Sequence, residues 1–154
     1  MVKQLLVVAH IPSDNTRALA QAVARGAQHP DIESVEVTHI PPLQAGADDV
    51  MAADGIILGT TENFGYMSGA LKDFFDRVYY PVLEQKQGTS YALYVRAGLD
   101  GTGTITAVQR IVTGLHWRAI CEPLLCHGSY NPAFIEQCEE LGLTMAASLD
   151  AGIA

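Results

Sequence analysis

The chain has 154 residues, 49% of them hydrophobic and 17% charged, enough for one sizeable core and typical of a single domain. Its formal net charge of -8, with acidic residues scattered and no Lys/Arg cluster, argues against nucleic acid or an anionic membrane as partner and suits solubility or docking to a basic partner protein. No apolar run approaches the ~18 residues that cross a bilayer, and LLVVA is followed at once by HIPSDN, unlike a secretory signal, so a cytoplasmic location is expected.

Leu5–Ala9 is predicted as the first strand. It opens into H-I-P-S-D-N-T (His10 to Thr16), which leads directly into a helix with Leu19, Ala22, Val23, Gly26 and Ala27 on one face. Ser13, Asn15 and Thr16 beside unpaired N–H groups suit a phosphate. With no lysine, arginine or glycine in the stretch, however, plain N-capping by Ser13 or Asn15 is the reading the residues alone favour. Val35–Ile40 reads as the second strand, Gly46–Ala53 is ambiguous with a short helix as one reading, and Gly55–Gly59 is the third strand. After it comes GTTENFGYMSG (Gly59 to Gly69), with more glycines, aromatics and polar side chains than a chain reversal requires. Leu71, Phe74, Phe75 and Val78 then line a helix that Ser68 can cap.

Tyr91–Val95 is the fourth strand, followed by the loop RAGLDGTGT (Arg96 to Thr104) and a helix with Val108, Ile111, Val112 and Leu115 on one face. Ile120–Cys126 is the fifth strand, with no long insertion splitting it. Asn131 and Pro132 signal the start of the last helix, whose face is Phe134, Cys138, Leu141 and Met145. The five runs read as strands buried on both faces. Cys121, Cys126 and Cys138 lack CxxC spacing and are expected as buried thiols rather than a disulfide framework or a zinc ribbon. His29, His39 and His116 are expected at the surface, and Trp117 in packing.

This alternation predicts an α/β fold: an open parallel sheet with helices on both faces and ligands held beyond the carboxyl ends of the strands, where strand order reverses. The loops after strands one, three and four are the ones to examine. The latter two are rich in glycine and hydroxyl groups, so their backbone can approach a flat ligand and donate N–H groups to its edge, while Phe64 or Tyr66 covers a face.

Other readings of the fold fail on particular residues. A response-regulator receiver needs a phosphoacceptor Asp where Thr60 ends the third strand, and a dinucleotide-binding domain needs G-x-G-x-x-G after the first strand. Ser68 stands one place too late for a hydrolase elbow, and no cysteine precedes a suitably spaced arginine as in a low-molecular-weight phosphatase. His10 and His127 both follow strands but start roughly 14 Å apart, too far to share a metal ion.

The run ADGIILGT (Ala53 to Thr60), then FGYMSG (Phe64 to Gly69) and LKDFFD (Leu71 to Asp76), resembles the flavodoxin-like family of NAD(P)H-dependent FMN reductases and quinone reductases. The resemblance implies a flavodoxin-like three-layer fold in its short-chain form, with a five-stranded parallel sheet of order 2-1-3-4-5. It implies FMN bound noncovalently across three loops. His10, Ser13, Asp14, Asn15 and Thr16 would surround its phosphate, with His10 in place of the family's opening hydroxyl residue and Asp14 in place of a glycine, contributing only its backbone. Thr60, Thr61, Glu62, Asn63, Phe64 and Gly65 would border the isoalloxazine, Thr61 standing where many relatives have proline. Ala97, Gly98, Asp100 and Gly101 would meet the pyrimidine end.

The flavin N5 would carry the chemistry, with no side chain needed as acid or base, and Tyr66, Arg96 and His127 would border the substrate cleft. Arg96 is the one cation there for a nucleotide phosphate. Flavodoxin carriers usually cover the ring with an aromatic from the loop after strand four, and RAGLDGTGT has none. An open face favours an NAD(P)H oxidoreductase passing hydride to a quinone or similar acceptor; the alternatives are a flavodoxin-type electron carrier serving a redox partner protein, or a flavin-binding module without turnover. Relatives commonly form homodimers or homotetramers, for which Tyr79, Tyr80 and Pro81 are candidate contacts.

Overall fold

A computed structural model describes the whole chain, Met1–Ala154. The centre of the sheet is β1 (Lys3–Ala9), β3 (Gly55–Asn63) and β5 (Ser90–Ala97), mutually parallel, with β2 (Val35–His39) parallel to β1 at one edge. At the other edge β6 (Arg118–Ala119) and β7 (Leu124–His127) both pair with β5. Taking β6 and β7 as halves of the fifth predicted strand, and leaving aside the two-residue β4 (Tyr66–Met67), the sheet order is 2-1-3-4-5.

Alternation along each central strand divides the core into two layers. Leu6, Val8, Ile56, Leu58, Leu93 and Val95 face α3 (Gly69–Val82) and α4 (Thr102–Gly114). Leu5, Val7, Ile57, Ala92 and Tyr94 face α1 (Asp14–Ala27) and α5 (Ala133–Asp150). The helical faces expected from sequence are buried, apart from Ile111, which is only half-buried. Each large side chain taken out of water, such as Phe74 or Phe75, contributes on the order of 1.5–3 kcal/mol. The ambiguous segment forms α2 (Ala47–Ala52), one and a half turns capped by the Asp49 carboxylate, which accepts from the Gly46 amide at 2.8 Å. Asn131 Oδ1 accepts from the Ala133 amide at 2.9 Å, but α5 begins at Ala133 with Pro132 in the N-cap place, one residue later than expected.

Three expectations are corrected. First, β2 is not buried on both faces: Val35 and Val37 are half-buried while Glu36 and Thr38 are exposed, because an edge strand has one neighbour and one covered face. Second, the fifth strand is not continuous. Ser90 pairs with Arg118, an offset of 28, whereas Tyr94 pairs with Leu124, an offset of 30, so two extra residues are absorbed between Ile120 and Pro123. Proline has no N–H to give the ladder, and the chain bulges there. Third, Cys121 lies at this bulge and is half-exposed, unlike Cys126 and Cys138, which are buried on β7 and α5.

α1 and α5 pack closely because Gly26 faces the backbone of Glu139 and Gly142 faces the backbone of Val23, with no room for a Cβ at either place. Tyr80, a candidate oligomer contact, is 79% exposed beside exposed Pro81, while Tyr79 is half-buried. No helix is long and apolar enough to cross a membrane.

Candidate functional site

The carboxyl ends of β1, β3 and β5 lie side by side and present the three singled-out loops on one rim. In the first loop, Ser13 is the N-cap of α1: its Oγ accepts from the Thr16 amide at 3.2 Å and its own amide donates to Thr16 Oγ1 at 3.0 Å. Thr16 is buried and its hydroxyl is committed to this reciprocal cap. The amides of Asp14 and Asn15, in the first turn of the helix, find no acceptor in the protein. They point the positive end of a 14-residue helix at solvent, a setting that favours an anion. His10 sits half-buried at the mouth, and burial holds its imidazole below the usual histidine range.

The second loop is more ordered than its sequence suggests. β3 continues to Asn63 and turns back through Phe64 and Gly65 into β4, with Asn63 opposite Tyr66 and Glu62 opposite Met67. Both turn residues have positive φ, 54° and 76°, the signature of a two-residue type I′ hairpin, natural for glycine and strained for phenylalanine. Thr60 is buried and pins the hairpin base: its hydroxyl accepts from the Ser68 amide at 3.0 Å and donates to the Thr61 carbonyl at 2.9 Å. Ser68 in turn caps α3 through Leu71. Phe64, fully exposed at the tip, packs against nothing. Phe64→Asn is expected to raise stability by roughly 1 kcal/mol by relieving the left-handed backbone. It is expected at the same time to weaken any flat ligand held there; a thermal melt with a flavin titration checks both.

The third loop is open. The amides of Gly98, Leu99 and Asp100 have no acceptor in the protein, while the amide of Gly101 donates to Glu62 Oε2 at 3.0 Å and ties this loop to the hairpin. Gly101 adopts φ 78° and caps α4, and Gly103 lies against the Gly65 carbonyl. Ala97 is buried, its carbonyl accepting from Gly128 at 2.9 Å.

Two open clefts meet at Glu62. One, about 410 Å³, is lined by polar side chains including His10, Ser13, Asn15, Thr16, Thr61 and Arg96. The other, about 680 Å³, lies between the Phe64–Gly65 turn and the Gly98–Gly103 segment. Most of the expected loop residues line these clefts, but Asp14, Thr60, Ala97 and Gly101 line neither, and Arg96, Tyr66 and His127 do not form one group. Arg96 belongs to the first cleft with the α1 loop, and Tyr66 and His127, both exposed, line neither cleft. Pro12, Leu99, Thr102 and Gly103 line the clefts without having been singled out, although Thr102 and Gly103 lie within the glycine- and hydroxyl-rich run.

A five-stranded parallel sheet whose carboxyl rim carries a helix terminus with free amides beside a backbone-lined groove defines a flavodoxin-like protein. The chain belongs to the NADPH-dependent FMN reductase family, whose model matches residues 3–123. It is 30% identical over 112 residues to a flavodoxin from Aquifex aeolicus; the match takes in 73% of this chain and spans about 60% of that relative's length. Among solved structures it is similar to a flavodoxin from the domain Archaea (TM-score 0.78, 20% identity, 95% of this chain and 98% of that one). It is also similar to a WrbA-like flavodoxin from Agrobacterium tumefaciens (TM-score 0.70, 20% identity, 99% of each chain). Family and fold together support an FMN flavoprotein.

Proposed function

We propose that the chain is an FMN-dependent NAD(P)H oxidoreductase that passes hydride to a quinone or a similar small acceptor. The donor set fits the cofactor: unpaired amides at Asp14 and Asn15 with the Ser13 hydroxyl suit a phosphate, and unpaired amides at Gly98, Leu99 and Asp100 suit the polar edge of the ring. Bound FMN supplies hydride uptake and delivery at N5. The protein's part is to hold the ring and to leave an approach to it. Glu62 keeps the two ring-side loops in register through Gly101, and Phe64 offers an aromatic face at the groove rim.

The observation that carries the enzyme reading is the third loop, whose one bulky side chain, Leu99, is 80% exposed and aliphatic. No aromatic lid from that loop competes with a nicotinamide for stacking, and hydride transfer needs the reacting atoms within ~3.5 Å. The likeness to the Aquifex aeolicus flavodoxin favours a second reading, an electron carrier reduced by a partner protein. Stopped-flow mixing of the FMN-loaded protein with NADH and with NADPH separates them. Rapid bleaching of the flavin band by at least one nucleotide is expected, and a band that stays oxidised with both leaves the carrier.

A further inference from the structure

Arg96 is the one half-buried arginine of the chain, and no carboxylate lies within ion-pair distance of it, although acidic residues outnumber basic ones 17 to 9. Its guanidinium is held on two sides. Nη1 donates to the Ala97 carbonyl at 2.7 Å and to the Cys126 carbonyl at 3.1 Å, the ends of β5 and β7. The guanidinium carbon stands 5.2 Å from the Phe134 ring centroid and 5.8 Å from that of Tyr130. A guanidinium has five N–H donors, and Nη1 carries two of them. The remaining donors, on Nε and Nη2, make no hydrogen bond within the protein, and the residue lines the cleft that also holds Ser13 and Asn15. An Nε/Nη2 edge is the two-pronged fork that matches two oxygens of a phosphate.

The acidic side chains around this cleft oppose a dianion, and a cation would offset them. Glu62 lines it and Asp14 stands in the adjacent turn, both acidic, and Arg96 is the sole lysine or arginine of the lining. Alternation along β5 puts Arg96 on the same sheet face as Ala92 and Tyr94, the face that packs on α1 and α5, which carries it toward the start of α1.

We propose that Arg96 is the specificity-determining residue of the phosphate subsite, selecting phosphorylated flavin over riboflavin by a preset fork rather than by the helix terminus alone. The proposal rests on the FMN reading. Its test is equilibrium titration of the apoprotein with FMN and with riboflavin, followed by quenching of flavin fluorescence, for the wild type, Arg96→Lys, Arg96→Gln and Arg96→Ala. Arg96→Ala and Arg96→Gln are expected to weaken FMN by roughly ten- to hundredfold and leave riboflavin unchanged, with Arg96→Lys recovering part of the loss. Arg96→Gln retains a planar donor group in case the alanine variant does not fold, and thermal melts report that directly. Equal loss for both flavins, or unchanged FMN affinity, overturns the assignment while leaving the FMN reading intact. So does an effect confined to NADPH affinity in the FMN-loaded protein, which would move Arg96 to the nucleotide's phosphate. A wild type that binds neither flavin overturns the FMN reading itself, and the assignment with it.

Discussion

Gly142→Ala is expected to lower stability by about 2 kcal/mol although alanine is the better helix former. Propensity alone would add about 1 kcal/mol. Against it, the new methyl falls inside the contact envelope of the Val23 carbonyl on α1, and backbone atoms cannot step aside by changing rotamer. The helices must separate along their whole contact, at the upper end of the roughly 1–3 kcal/mol usual for overpacking. Gly26→Ala meets the Glu139 carbonyl on α5 in the same way, so the two changes are expected to be less than additive, since one separation accommodates both. For a chain of this size the melting midpoint should fall by roughly 4–8 °C. A midpoint that rises in either single variant would show that propensity wins and that the contact is looser than described.

Gly101→Ala is the change expected to damage the site most. A side chain there must adopt a left-handed backbone, at about 1–2 kcal/mol, and its Cβ would collide with Leu125 and crowd Ala97 at 3.0 Å. Because the Gly101 amide is the donor to Glu62, any shift that relieves the collision separates the third loop from the hairpin. FMN affinity is therefore expected to drop by roughly tenfold or more, with a lower melting midpoint. Gly98→Ala is the control for stability: Gly98 has no positive φ, and a Cβ there meets nothing within 4 Å, so its midpoint should hardly change. Wild-type flavin affinity in the Gly101 variant would mean that the tie to Glu62 does not organise the site.

What the sequence made legible follows from what hydrophobic patterning reports, which is burial. β1, β3 and β5 are covered on both faces and stood out as continuous apolar runs, and Phe74, Val108 and Cys138 marked their helices by spacing. Patterning carries no record of pairing. The hairpin at Phe64–Gly65 reads as a ligand loop because turn formation and ligand approach both call on glycine and short polar residues. The bulge at Pro123 was invisible for a related reason: Ile120 to Cys126 is apolar enough for one strand, and only the partner's register shows the slip. The three loops were found because topology places them on one rim. Arg96 was expected at the substrate cleft, but its sheet face was not legible, since a strand buried on both faces does not say which face its even-numbered residues take.

That slip in register also bears on how the molecule behaves at high concentration. The flank of the sheet beyond β5 offers a visiting strand two residues, a kink, and then four more, never a straight template of ordinary strand length. A second molecule aligned with β6 is two residues out of step with β7, so its ladder would break midway. The opposite flank, β2, is regular but only five residues long, with Glu36 pointing outward. Crowded solutions should therefore remain free of ribbon-like polymers, and any association between copies should run through helices rather than through shared strands.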